Sequence, residues 1–386
     1  MTTRCRSPAS ADVLYNPPVR ILILIVIVLA SSDHAPRWQV QTSGIDTNLR
    51  GVSVSSFEPE KNHEYVVWAS GSNGVILRST NEGSTWKQLS VPGGGGLDFR
   101  DIEAFDEDTA YVMSSGDGDK SRIYKTTDSG KTWKLQYSDK RSGFFLDSLA
   151  CDSKTHCLAL SDPVDGKFLV LSTDDGEHWK ELPRDKMTAA LPNEGAFAAS
   201  GSSLAICDRG ENIYFGTGGA AAARIFHSTD RGRSWAAVNT PIASGNASSG
   251  IFSVACGGFL VVAVGGDYKE PAAAKRVAAY SSDFGATWHL AEQQPGGYRS
   301  AVGSFGGGDF AAVGPNGTDI SHEEPSEAMH WQHTDYLNLN AASFVGQQGW
   351  AVGPKGTIAR FKTHFFYQIK NAHTSDGPHS GSRAEE

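Results

Sequence analysis

Polar and apolar positions along this chain follow a long repeat rather than the short period of a helix. A Ser or Thr is followed two residues on by Asp, two further by Gly and three beyond that by Trp, and the pattern recurs five times. The copies run Ser79 to Trp86, Thr126 to Trp133, Ser172 to Trp179, Ser228 to Trp235 and Ser281 to Trp288. Asn81 stands in the first where the others carry Asp128, Asp174, Asp230 and Asp283. In a tight turn such a side chain accepts backbone N–H bonds, and the Gly supplies a positive φ. The Trp (Trp86, Trp133, Trp179, Trp235, Trp288) then opens the next strand with a large apolar surface. One turn offers too few oxygens for calcium, so these residues read as structural staples and no metal site is expected.

Two further tryptophans, Trp38 and Trp331, extend the series. Successive intervals are 48, 47, 46, 56, 53 and 43 residues, the size of a four-stranded propeller blade. After Trp331 three apolar stretches remain, the last two ending at Gly353 and Phe361, and a fourth strand is missing. The strand at Trp38 supplies it. The expected fold is therefore all-β, a seven-bladed β-propeller of four-stranded antiparallel blades closed by pairing of the N- and C-terminal strands, so that no edge stays open. Six or eight blades fit the period less well.

Composition supports this and adds a location. Glycine is abundant (43) and methionine scarce (4), which favours turns and strands over helices. Arg4, Arg6 and Arg20 precede an apolar run from Ile21 to Ala30, with small residues at Ala30 to Ser32. Residues 1–32 read as a signal peptide and the protein as secreted or periplasmic, with no stable membrane span after cleavage. The propeller is assigned to 33–362, and 363–386 to a disordered polar tail. Four cysteines follow the leader. Cys151 and Cys157 flank a short turn and are expected to form a disulfide, whereas the pairing of Cys207 and Cys256 stays open. A formal charge of -9 argues against nucleic acid as partner.

The boxes resemble the BNR or Asp-box repeat proteins of the sialidase-like superfamily, which also includes sortilin-type and xyloglucan-cleaving propellers. Asn48 to Val52, Asp98 to Ala104 and the boxes ending Lys131-Thr132-Trp133 and Arg233-Ser234-Trp235 are most similar to the photosystem II stability/assembly factor-like family, over roughly residues 36 to 362. That resemblance implies a seven-bladed propeller in an extracytoplasmic space that works by holding a protein partner. Similar bacterial sequences often carry an oxidoreductase label, which no residue here supports.

Equivalent positions before each innermost strand should ring one mouth of the axial channel. Alignment of the repeats gives Arg50, Arg100, Leu146, Glu194, Ser249, Arg299 and Asn340, with Asp101 and Asp147 one step further in. Guanidinium groups grip carboxylates bidentately, so Arg50, Arg100 and Arg299 point to a protein partner or acidic ligand bound by a monomer. The competing reading is that the arginines pair with Asp98, Asp101, Asp147 and Glu194 and close the mouth. Hairpins on the same face add Asp162, Asp165, Asp267 and Lys355 as charged candidates.

A sialidase-like hydrolase would use the three arginines with Tyr298 and Glu194, but the chain around Arg50 lacks that family's Arg-Ile-Pro signature. Neutral-sugar hydrolysis would use two opposed carboxylates among Asp101, Asp147, Glu194 and Asp267. No cofactor is expected. Gly93 to Gly96 precede no amphipathic helix, no haem-attachment motif or serine elbow is present, and His330 and His333 read as surface residues. The reading that follows is a non-enzymatic binding scaffold, with a glycoside hydrolase on the same face as the alternative.

Overall fold

The computed structural model describes residues 37–57, 64–322 and 328–362. Both the leader and the polar tail assigned from sequence lie outside the described residues. Among the described residues twenty-eight strands, β1–β28 in chain order, form seven four-stranded antiparallel sheets. Six sheets use four consecutive strands each. The seventh has the order β1-β28-β27-β26, in which β1 (Arg37–Gln41) lies against β28 (Ile358–Lys362) with Trp38 opposite Phe361.

Central strands are packed on both faces, which is why they read as unbroken apolar runs instead of alternating. In β7 (Ala110–Ser115) every residue is buried. Outermost strands are polar; β5 (Lys87–Leu89) and β9 (Lys134–Ser138) begin with exposed lysines. The cores lie between neighbouring blades. Trp68, Ile76 and Leu89 of the first blade pack with Phe99, Ile102 and Tyr124 of the second.

The repeated turns join the third and fourth strands of blades one to five. In four of them the predicted staple is present. The Thr85 N–H donates to Asn81 Oδ1 at 2.9 Å and the Gly83 N–H to Ser79 Oγ at 2.8 Å. Asp128, Asp230 and Asp283 accept the equivalent N–H bonds from Thr132, Ser234 and Thr287. Hydrogen bonds from Thr132 and Thr287 hold the Asp128 and Asp283 carboxyls down at about 2.

Asp174 is the exception. β12 (Lys167–Thr173) runs one residue further than its counterparts and pairs Thr173 with Cys157, so the hydroxyl and carboxylate each move one place along the chain. The Gly176 N–H donates to Thr173 Oγ1, and Asp175 Oδ1 accepts from Glu177 and His178, each at 2.8 Å. Asp174 instead faces Lys180 at 2.6 Å. The tryptophans also divide. Trp235 and Trp288 are buried, at 3% and 9% exposure, and donate Nε1–H to Gly232 and Gly285, whereas Trp86, Trp133 and Trp179 are half-buried.

Cys151 and Cys157 sit opposite each other on adjoining strands and are disulfide-bonded. A second disulfide joins Cys207 to Cys256 across blades four and five.

Two outcomes follow for unfolding experiments. Asp175→Ala lowers the melting temperature while Asp174→Ala leaves it unchanged, as read by differential scanning calorimetry. In denaturant titrations Trp235→Ala costs about 3–5 kcal/mol, as a fully buried aromatic does, and Trp133→Ala clearly less.

Candidate functional site at the channel mouth

Strand pairing defines the mouth better than sequence alignment does. In β2 (Leu49–Phe57), β6 (Asp98–Ala104), β10 (Leu146–Cys151) and β18 (Ser249–Gly257) the ladder skips one residue: Arg50, Arg100, Asp147 and Phe252. Each is a β-bulge, which leaves the backbone unpaired and re-aims the side chain. In the other three blades the ladder begins at Leu204, Ala301 and Ala341, which makes Ser203, Ser300 and Asn340 the corresponding residues. Six of these seven positions, all but Ser203, line one cavity of about 490 Å³.

Arg50, Arg100, Asp147 and Asn340 are thus where the sequence places them. Leu146 and Ser249 fall out of the ring. Arg299 does too, because Ser300 holds its place, and a one-residue slip on a strand turns a side chain to the other face. Arg299 is fully buried, with Nε on Asp319 Oδ2 at 2.6 Å and Nη1 on Asn316 Oδ1 at 2.6 Å. Burial draws its pKa below the ordinary arginine value even with Asp319 beside it. Glu194 lies ten residues before its blade's first strand, β14 (Leu204–Cys207), and is ion-paired with Arg224. Its Oε1 also accepts from Thr217 Oγ1 at 2.7 Å. Asp101 faces the blade packing, where Oδ1 and Oδ2 accept from the Ile102 and Leu149 N–H groups at 2.8 and 2.6 Å. Burial pushes its carboxyl well up. None of these three lines the cavity.

The channel is plugged by the chain itself. The segment before β14 crosses from blade to blade. Ala198 O accepts from Arg100 Nη1 at 2.8 Å and Arg50 Nη2 at 3.3 Å, Ser200 Oγ donates to Ser300 O at 2.8 Å, and Ser148 Oγ donates to Gly201 O. Gly201 has to be glycine: its φ is +76°, and a Cβ there would stand 2.1 Å from the Asp101 carboxyl carbon. Phe197 of this segment stacks on Phe252 with centroids 3.9 Å apart.

Above the plug the two arginines keep unused donors. Arg100 Nε is held by Asp98 at 2.8 Å, but Arg50 Nε has no partner among the described residues. Burial and then the Arg100 charge pull the Arg50 pKa down, so an anion there is favoured. Facing them are two carboxyls. Asp147 is 1% exposed, its Oδ2 lacks a partner among the described residues, and burial followed by Asp162 pushes its pKa well up. Asp162 accepts the Ala196 N–H at 2.9 Å, and burial pushes it up to about 6. Tyr268 and Tyr298 complete the wall. The sequence pointed to Asp162 only as a hairpin residue and gave no sign of Phe197 or Phe252. The bulge that places Phe252 is set by cross-strand pairing, Ile251 with Gly265 and Ser253 with Val264, which spacing along the chain does not reveal.

Removing the mis-aligned arginine and a true mouth arginine should have opposite consequences. Arg299→Ala strands the buried Asp319 carboxylate and lowers unfolding free energy by about 3–5 kcal/mol. Arg100→Ala, whose ion pair with Asp98 is partly solvated, costs at most about 1 kcal/mol. Denaturant titration of the two variants reads the difference.

Comparison with known proteins places the fold among propellers of different activity. A xyloglucanase from Paenibacillus sp is 25% identical over 208 residues, covering 45% of this chain but only 20% of that protein. The chain thus spans about a fifth of the length of this curated relative. Among solved structures, one described as YCF48 bound to D1 peptide superposes with a TM-score of 0.54 at 12% identity, over 85% of this chain and 97% of the other. The GH74 xyloglucanase of Xanthomonas campestris gives a TM-score of 0.55 at 15% identity, over 84% of this chain and 53% of the other. Both of these solved structures are seven-bladed propellers. The profile of the DUF6242 beta propeller domain matches residues 37–308, well over half the chain, and the protein belongs to that family.

Proposed function

We propose that this protein is an extracytoplasmic, non-enzymatic propeller that holds a protein partner by an acidic segment or a C-terminal carboxylate at the Arg50–Arg100 mouth. The observation that carries this reading is the pair of adjacent bulge arginines with donors still free above a channel closed by the protein's own chain. A plugged channel gives a shallow, rigid cup suited to the end or bend of a peptide, and guanidinium forks match a carboxylate. The YCF48 propeller, described as bound to a D1 peptide, supports protein binding by this fold. Export through the leader at residues 1–32 belongs to the same proposal.

A second reading, glycoside hydrolysis, draws on the two carboxyls of the mouth, one of them pushed up to about 6 as a general acid would be. A sialidase-type arrangement is not assembled, because Arg299 and Glu194 are each committed to a buried ion pair.

Isothermal titration with acidic peptides, carrying either a free C-terminus or an amide, distinguishes the readings. The scaffold predicts that the free-carboxylate peptide binds and that Arg50→Ala/Arg100→Ala weakens it by roughly tenfold or more. Hydrolysis of a glycan that vanishes in Asp162→Asn, with no peptide bound, would replace it with the hydrolase.

The same site predicts a pH dependence. Asp162, raised to about 6, gains a proton as pH falls through that value, beside an Asp147 whose pKa burial also pushes well up, while Asp98 is held below its usual value and stays charged. Loss of negative charge beside the arginines favours an anionic ligand. Affinity should therefore rise by roughly three- to tenfold from pH 7.5 to pH 5, and Asp162→Asn should flatten that slope. A flat wild-type profile would contradict the assignment of these carboxyls to the binding cup.

A further inference from the structure

A second cleft of the described protein lies away from the mouth. It measures about 930 Å³ and opens between blades three and four. Its walls come from the hairpin after Cys151, the far end of β10, and from the repeated turns, so it lies on the opposite face from the ring of bulges. Nothing in the proposed peptide grip uses it.

Its charges are not mutually satisfied. Asp174 faces Lys180 at 2.6 Å, Asp152 faces His156 at 2.8 Å and Glu181 is ion-paired with Arg141. Arg209, Arg231, Arg233 and Lys186 have no side-chain partner among the described residues. Two of these arginines are held by backbone that arginine rarely adopts. Arg209 has φ 57°, between Asp208 at 50° and Gly210 at 86°, and Arg231 has φ 60°. Asn212 Nδ2 donates to Asp208 Oδ2 at 2.7 Å and ties down the first of these turns.

The lining selects among anions. No Trp, Tyr or Phe lines the cleft, so neither a neutral sugar stacked on an aromatic platform nor an apolar peptide anchor is served. Carboxylates of Asp152, Asp174 and Asp185 stand among the cations as pure acceptors. Guanidinium forks for acid groups, interleaved with carboxylate acceptors for hydroxyls, match a chain that carries both. We infer that the cleft formed by Arg209, Arg231 and Arg233 between blades three and four binds an acidic glycan, a polysaccharide whose uronate groups meet the arginines and whose hydroxyls meet the aspartates. This second site is independent of the mouth.

Titration of the full chain with a decameric oligogalacturonate tests it, with the fully methyl-esterified oligomer and poly-L-glutamate of matched charge as companions. Binding of the free acid is expected, weakening as salt rises. It should drop at least tenfold in Arg209→Ala/Arg231→Ala/Arg233→Ala and stay unchanged in Arg50→Ala/Arg100→Ala. Arg233→Gln, a change at one exposed side chain, gives a smaller loss in the same direction and stands in if the triple variant fails to fold. Absence of binding, equal binding of the ester, or insensitivity to these substitutions would overturn the proposal. Equal binding of poly-L-glutamate would also overturn it, in favour of an acidic protein surface. Loss of binding in the mouth variant alone would move the glycan to the other face.

Discussion

Closure of the ring is the constraint on which everything else depends. A four-stranded blade of this chain buries its central strands only by packing both faces against neighbours, so no blade is stable with one side open. Pairing of β1 with β28 completes the last blade and seats it against the first. Gln41 carries the joint further: its Nε2 donates to Glu82 O in the first blade's turn at 2.7 Å, and its Oε1 accepts from Trp350 at 3.1 Å. The strap also explains why the seventh blade has no staple turn. Its third and fourth strands are the two ends of the domain, and no hairpin joins them.

Much of this was legible because the turns are local chemistry. Asn81, Asp128, Asp230 and Asp283 bond to N–H groups four residues away, so their role can be read from spacing alone. Asp174 shows the limit of that logic. Spacing names it, but the cross-strand partner of Thr173 decides how far β12 extends, and this shifts the staple to Asp175. A comparable long-range effect hid half of the site. Arg50, Arg100 and Asp147 were visible because their blades are regular, whereas the long segment before β14 drew Glu194 into an alignment where it does not belong.

The bulge ring gives a physical reason for the position of the site. A bulge frees one residue per blade from the ladder and aims it at the axis, so chemistry can vary there without disturbing the sheets. This protein places cations in blades one and two, carboxyl in blade three and an aromatic in blade five. The blade-four segment then blocks the channel below them, so the cavity is a cup and not a tunnel. Arg299 marks the contrast: one position away from the ring, the same residue type becomes a buried structural ion pair.

The most direct test of this account is the position of a bound carboxylate. A crystal structure of the protein soaked with a short acidic peptide bearing a free C-terminus should show the carboxylate within hydrogen-bond distance of both Arg50 and Arg100, above the Ala198 carbonyl. Peptide density on any other face, or Arg50 and Arg100 unchanged beneath an empty cup at saturating peptide, would contradict it.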